Sequence, residues 1–378
     1  MNFDLTAGQL EAKEKFESFA KTCIEPYARQ MDSMQETPDE VLSSLRQGGY
    51  LGANISEQYG GKGWDSMMLS FLHEEIGKSC SSIRSLLTVH GMVAYAIQKW
   101  GSPEQKKRWL PDLASGVKTG AFALTEKDAG SDASALRTEA TQDELGYIIN
   151  GAKKWTTYGQ TADLLLVFAR LEGEITAFIV EGSASGLTRT AVTGLLGLRG
   201  SMTADLTFEN CRIPKENLLG RKGAGLSHVV QFCLDYGRFS IACGCVGIAQ
   251  ASLEASLRYS GERKQFERTL IEHQLIQKMI TEMEVHTSAA RLLCRQAAYS
   301  RDTLHPDCVL QTWKAKYFAS ITASQAAKDA VQIHGANGCS SLYPVERYMR
   351  DAKIMEIIEG TNQIHELMIS SYTFGQFN

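Results

Sequence analysis

One run of apolar residues constrains this chain more than any other feature. Leu275, Met279, Met283, His286, Ala290, Leu293 and Ala297 recur every three or four positions over about six helical turns. A seam of that length predicts a helix packed in a bundle. Residues 228–259, 307–334 and 344–372 share its style, which makes four helices. Residues 1–118 also read as helices. Leu10, Phe16, Phe19, Ala20 and Cys23 mark one face, Leu42, Leu45 and Tyr50 begin another, and 66–79, 85–99 and 104–114 continue the pattern. Only 7 prolines interrupt 378 residues, which favours long helices.

Between these regions the period changes. Gly146–Ile149, Asp163–Ala169, Ile175–Val180 and Ala204–Phe208 are short β-rich runs bounded by turn residues such as Asn150-Gly151. The expected fold is α+β and mostly α. It has an N-terminal helical domain (1–118), a middle antiparallel, β-barrel-like domain (119–226) and a C-terminal four-helix bundle (227–378).

Composition narrows the function. A net charge of −4 with both signs interspersed argues against nucleic-acid binding. No run of about 18 apolar residues is evident, and the first residues lack the pattern of a signal peptide, so a cytoplasmic protein without a membrane span is expected. The 9 cysteines are scattered singly in apolar segments, which fits reduced core thiols. No G-x-G-x-x-G opens a helix after a strand, so a Rossmann dinucleotide site is not expected. Gly77-Lys78-Ser79 lacks the first glycine of a P-loop, and the 8 histidines show no metal-ligand spacing, so no metal is expected.

Four segments carry candidate chemistry. Residues 121–132, with Thr125, Gly130 and Ser131, offer hydroxyls and exposed amide groups suited to a phosphate-bearing or heteroaromatic ligand. Residues 150–157 place Trp155 beside two threonines. Residues 261–266 include Arg263, able to grip phosphate through two hydrogen bonds. Residues 350–364 set Glu359 after two isoleucines and before Gly360-Thr361, where apolar surroundings raise a carboxylate towards the range of a general base. Glu356, three residues earlier, is the competing acid, and spacing does not choose between them.

These segments, in this order and in a helix–β–helix context, resemble the acyl-CoA dehydrogenase flavoprotein family. Tyr59–Gly63, Glu74–Gly77, Trp109–Pro111, Gly197–Ser201, Ile213-Pro214, Glu216–Gly220 and Gln332–Gly335 match it as well. The resemblance implies FAD, with Phe122, Leu124, Thr125, Gly130 and Ser131 lining flavin and pyrophosphate and with Trp155 and Thr157 on the flavin ring. It implies that Arg263, Phe266, Gln274, Gln332 and Gly335 reach the FAD of a neighbouring subunit in a homodimer or homotetramer, and that Thr361 and Gln363 complete the pocket.

Glu359 matches the family's catalytic base; the position some relatives use instead is Gly237, which has no side chain to serve. Ile357 and Ile358 are expected to help keep that base dry. Arg238, with Ser131 and Gly360, is placed on the substrate side; an ion pair with Asp235 is the structural alternative for Arg238. Lys127, Glu267 and His365-Glu366 depart from the family pattern.

Asp235–Gly247 and Arg350–Gly360 resemble a subgroup that oxidises acyl groups on acyl carrier proteins to make hydroxymalonyl-, methoxymalonyl- or aminomalonyl-type extender units for polyketide and peptide antibiotics. The expected substrate is therefore a short polar acyl thioester on a carrier protein. The alternatives are a catabolic short-chain acyl-CoA dehydrogenase and a non-catalytic flavin-binding homologue. The sequence leaves the electron acceptor open.

Overall fold

The computed structural model describes residues 5–377. Six helices come first: α1 (Ala7–Phe19), α2 (Ala28–Met34), α3 (Asp39–Gly48), α4 (Ser66–Ser79), α5 (Ser81–Trp100) and α6 (Pro103–Ser115). Their ends follow local chemistry. Thr6 with Gln9 and Ser102 with Gln105 form capping boxes that satisfy the first amides of α1 and α6, and Gly49 and Gly116 close α3 and α6 in left-handed backbone.

The sheet comprises β1 (Gly120–Ala123), β2 (Glu139–Gln142), β3 (Gly146–Thr156), β4 (Leu164–Leu171), β5 (Glu174–Glu181), β6 (Leu187–Ala191), β7 (Ala204–Pro214) and β8 (Leu218–Leu219). Its order is β6-β7-β3-β2-β4-β5-β8, with β1 beside β4. The expectation of an antiparallel domain needs correction, because β1 and β2 both run parallel to β4. The chain leaves β1 at Ala123 and returns to its side only at Leu164 of β4, too long a path for a hairpin.

Helices resume with α7 (Gln231–Glu262), entered through a π-helical turn at Gly225–Val230, then α8 (Gln274–Asp302), α9 (Cys308–His334), α10 (Val345–Met355) and α11 (Asn362–Phe377). A small hairpin, β9 (Lys264–Gln265) with β10 (Arg268–Thr269), joins α7 to α8. The continuous helix Gly225–Glu262 is long and apolar enough by composition to cross a membrane, contrary to the sequence expectation, but 83% of its apolar window is buried inside the protein. Its glycine, alanine, cysteine and serine surface permits close neighbours on all sides. At the crossing with α4, a Cβ on Gly77 would stand 2.8 Å from the Gly244 Cα.

Two further expectations shift. In the C-terminal helical domain the anticipated 344–372 helix is broken between Met355 and Asn362, into α10 and α11. The α8 seam also rotates: Leu275 and His286 face outward, while Met283, Thr287, Ala290, Cys294 and Ala297 are buried. Leu10 on α1 is likewise exposed, whereas Phe16 and Ala20 enter the core. All 9 cysteines are free thiols, six of them buried. The sheet is tied to α10 through the Leu198 amide, which donates to the Asp351 carboxylate at 2.7 Å.

Candidate active site

The break between α10 and α11 is where the chain concentrates its unusual chemistry. Glu359 adopts φ +56° and Gly360 φ +96°, so the chain reverses in left-handed backbone, and the Asn362 amide closes the turn on the Glu356 carbonyl at 2.9 Å. The Glu359 side chain then points inward. Its Oε2 is buried and has no hydrogen-bond partner. Burial pushes the carboxyl up to about 7, against the opposing pull of Arg238, Arg84 and Lys316.

Glu356 differs in kind. It pairs with Lys353 at 2.6 Å, and its hydrogen bonds and the Lys353 charge hold it below the ordinary carboxylate value despite partial burial. The choice that spacing left open is thus made by packing. Gly237 on α7 contributes by what it lacks, since a Cβ there would stand 2.6 Å from the Glu359 Cδ. Ile358 packs on the core, but Ile357 is 50% exposed, so of that pair only Ile358 can help to keep the carboxylate dry.

Four basic side chains surround the break. The Arg238 Nε donates to the Glu359 carbonyl at 2.9 Å. The alternative role, an ion pair with Asp235, does not form; Asp235 is paired with Arg301. Arg84, 1% exposed, donates to Thr88 and Ser85 at 2.9 Å each and leaves its Nε unpartnered. Lys316, fully buried, donates to the Gly360 carbonyl at 2.9 Å and to the Asn362 Oδ1 at 3.1 Å. The His365 Nδ1 donates to the Thr361 carbonyl at 2.9 Å, leaving a buried, unpartnered Nε2. Burial and the neighbouring Lys316 charge bring that imidazole down to about 4, so it is neutral at pH 7. Among the described residues, Arg84, Arg238 and Lys316 make no ion pair, and the Glu359 amide donates to no group of the chain. The sequence reading missed Arg84 and Lys316; the signal available was a charge inside a largely apolar helical run, alone at Arg84 and two residues after Lys314 at Lys316.

A second group gathers where β1 and β3 come to their ends within the sheet. The Lys154 amide donates to the Thr125 carbonyl at 2.8 Å, which sets the 122–125 segment against the end of β3. Phe122 packs on Phe168, Leu124 is buried, and Thr125 and Thr157 are half-buried. Register shifts in β3 between Lys153 and Thr156, and Trp155 takes φ +58°, with its amide donating to Asp205 at 3.2 Å. The result is an indole left 55% exposed. Gly130 and Ser131 lie exposed on the adjoining loop. Glu126 anchors that loop by accepting from the Arg137 amide, the Thr138 amide and the fully buried Lys153. A flat, unpacked indole beside free hydroxyls and open loop amides fits a heteroaromatic, phosphate-bearing cofactor such as FAD. Thr361 caps α11 by accepting from the Ile364 amide, and Gln363 is exposed on its first turn.

The remaining candidates lie elsewhere. Arg263, Phe266 and Gln274 flank the β9–β10 hairpin, and the stack of Tyr259 on His334 brings the end of α9, with Gln332 and Gly335, beside them. Along α7, Arg238 and Arg263 are separated by roughly 37 Å at 1.5 Å per residue. One chain therefore does not bring these five residues to Glu359.

Comparison with known proteins agrees with this architecture. The acyl-CoA dehydrogenase N-terminal, middle and C-terminal domains match residues 6–117, 121–211 and 223–372. The chain belongs to the acyl-CoA dehydrogenase family, an FAD-dependent family, and is an oxidoreductase acting on CH–CH donors. It is 40% identical over 377 residues to the probable acyl-CoA dehydrogenase YngJ of Bacillus subtilis, covering 98% of this chain and 99% of that one. It is 37% identical over 380 residues to the short-chain-specific acyl-CoA dehydrogenase of Clostridium acetobutylicum, covering 99% and 100%. Butyryl-CoA dehydrogenase from Megasphaera elsdenii superimposes with a TM-score of 0.95 at 34% identity, covering 99% of this chain and 100% of that one. A glutaryl-CoA dehydrogenase from Mycobacterium smegmatis, in complex with FADH2, gives 0.93 at 29%, covering 98% and 95%. FkbI, for biosynthesis of a methoxymalonyl extender unit, gives 0.87 at 32%, covering 96% and 99%.

Proposed function

We propose that the protein is an FAD enzyme that oxidises a short acyl-CoA across its α and β carbons, with Glu359 as the base. The observation that carries this reading is the buried, unpartnered Glu359 Oε2, held near neutrality by burial against three cations. At pH 7 such a carboxyl is divided between its two forms, so it can take the substrate α-proton on Oε2 and later release it. As that proton leaves, negative charge grows on the thioester oxygen. The free Glu359 amide, aimed by left-handed backbone, is suited to stabilise it. Phe122, Leu124, Thr125, Gly130, Ser131, Trp155 and Thr157 would hold FAD, and Thr361 and Gln363 would complete its pocket. FAD supplies the acceptor for the hydride from the β carbon. Arg263, Phe266, Gln274, Gln332 and Gly335 would serve the FAD of a second subunit in a homo-oligomer.

Arg84, with an unpartnered Nε near Glu359, favours an acyl group ending in a hydroxyl or carboxylate over a plain alkyl chain. The relatives favour CoA as the carrier, against the carrier-protein donor expected from the sequence. The likeness to FkbI keeps the carrier-protein donor as a second reading. Anaerobic bleaching of the flavin by butyryl-, glutaryl- and 3-hydroxyacyl-CoA, with the same acyl groups on a carrier protein, tests both points. Higher kcat/KM for the CoA esters is expected; a preference for the carrier-protein esters would reverse the assignment. Failure of every thioester to bleach the flavin would sink the dehydrogenase reading.

A further inference from the structure

Three consecutive carbonyls of the reversed segment, those of Glu359, Gly360 and Thr361, each accept from a different buried basic side chain: Arg238 on α7, Lys316 on α9 and His365 on α11. We infer that Lys316 is the positioning residue of the catalytic base, clamping the left-handed turn that presents Glu359 and setting a buried positive charge near its carboxylate. This rests on the reading of Glu359 as the base.

Lys316 is set apart by its bonding. An ammonium has three donors, and Lys316 directs them at the Gly360 carbonyl (2.9 Å), the Asn362 Oδ1 (3.1 Å) and the Glu356 carbonyl (3.5 Å). No donor remains for a substrate. Arg84 and Arg238 differ, since each retains free guanidinium N–H groups, and His365 is neutral. The three Lys316 acceptors span both sides of the break: Glu356 ends α10, Gly360 lies in the turn and Asn362 begins α11. Asn362 Oδ1 is itself fixed by the Ser320 hydroxyl at 3.0 Å, one turn further along α9. One buried cation thus ties the two helix ends to a single point on α9, and losing it releases a turn that includes a non-glycine residue at φ +56°.

The same charge acts through space. The groups facing the Glu359 carboxylate are Arg84 on α5, Arg238 and the Cys233 thiol on α7, and Lys316 on α9. Those facing Lys316 are Cys245 and Arg238 on α7, with Glu356 and Glu359 in the break, and His365 on α11 also lies within its field. Burial brings the Lys316 ammonium down to about 8, so it is mostly charged at pH 7, the middle of the range in which Glu359 titrates. Removing that charge raises the Glu359 carboxyl further, because only the two guanidiniums then oppose its burial.

The test is the pH dependence of the reductive half-reaction in FAD-loaded enzyme. Lys316→Met should retain flavin, move the acid limb up by about one pH unit and lower the plateau rate by about tenfold. Lys316→Arg keeps the charge but cannot place three donors at one point. Its acid limb should stay while the plateau falls, and any decline above about pH 8 should disappear, since Arg does not titrate there. An unchanged limb and plateau in Lys316→Met would overturn the inference. If Lys316→Met does not fold, the Arg variant decides: a wild-type plateau and a retained alkaline decline would overturn it. Glu359→Gln separates the two levels of the argument. Full activity in that variant removes the base assignment itself, whereas an inactive Glu359→Gln beside a silent Lys316→Met removes only the clamp.

Discussion

The break that carries Glu359 and the hairpin that carries Phe266 and Glu267 put non-glycine residues into the same left-handed backbone, at φ +56°, +52° and +63°. They are held in different ways. The hairpin needs only its own register, Gln265 opposite Arg268 and Lys264 opposite Thr269, because a two-residue turn with both residues left-handed matches strand twist. Phe266 is 89% exposed, so little else restrains it. At Glu359 there is no strand register. The turn is held by donors from α7, α9 and α11, and the carboxylate it presents is buried without a partner. Local geometry maintains the first strain and tertiary packing maintains the second, so substitutions should separate them.

The largest expected effect is on chemistry at the break. Glu359→Gln should retain flavin and fold yet slow anaerobic flavin reduction by about 10²–10⁴-fold, as for a lost general base. Glu356→Gln, which loses an ion pair with the half-exposed Lys353 and touches no reacting atom, should change it little. The reverse order would place the base on the wrong carboxylate.

The second effect is on stability, with a definite sign in pH. Because burial raises Glu359 to about 7 in the folded protein, from the ordinary 4.5, the folded state binds the proton more tightly than the unfolded one. Ionisation then costs stability as pH rises from about 4.5 through about 7. Glu359→Gln should therefore be more stable than wild type at pH 8, by on the order of 3 kcal/mol. The gain should shrink to nothing near pH 4. Denaturation of apoprotein across that range checks it, and a pH-independent difference would contradict the buried, near-neutral carboxyl.

A third effect probes the space left by α7. Gly237→Ala sets a Cβ against the Glu359 carboxylate, so the base must shift, and flavin reduction should fall by about 10–100-fold. A wild-type rate would mean that the carboxylate rests elsewhere during the reaction. The smallest effect belongs to the hairpin. Glu267→Gly should relieve left-handed strain and raise stability by about 1 kcal/mol with no change in flavin reduction. A loss of stability there would show that the hairpin, too, depends on contacts beyond its own turn.

Much of this was legible in the sequence. The helix–β–helix order follows from the change of apolar period, and segments 66–79, 85–99 and 104–114 fall on α4, α5 and α6. What escaped was the parallel placement of β1 and β2 on β4, because strand neighbours separated by 20 or more residues leave no local signal. The α8 face was misjudged at Leu275 and His286 because apolar spacing does not say which side a neighbouring helix covers. Arg84 and Lys316 were passed over because a charge in an apolar run reads as an exposed residue until its partners are known.

By itself the sequence determined the elements, their order and the short list of acids from which the base is drawn, since these depend on side-chain period, capping residues and turn residues within a few positions of one another. Tertiary structure alone decided between Glu356 and Glu359. They lie three residues apart in one segment, but one meets Lys353 near solvent while the other turns into a space opened by Gly237 and ringed by cations from α5, α7 and α9. The ionisation of a carboxylate is set by the charges and solvent within a few ångströms of it, and in this chain those groups are scattered over more than 270 positions, from Arg84 to Glu359.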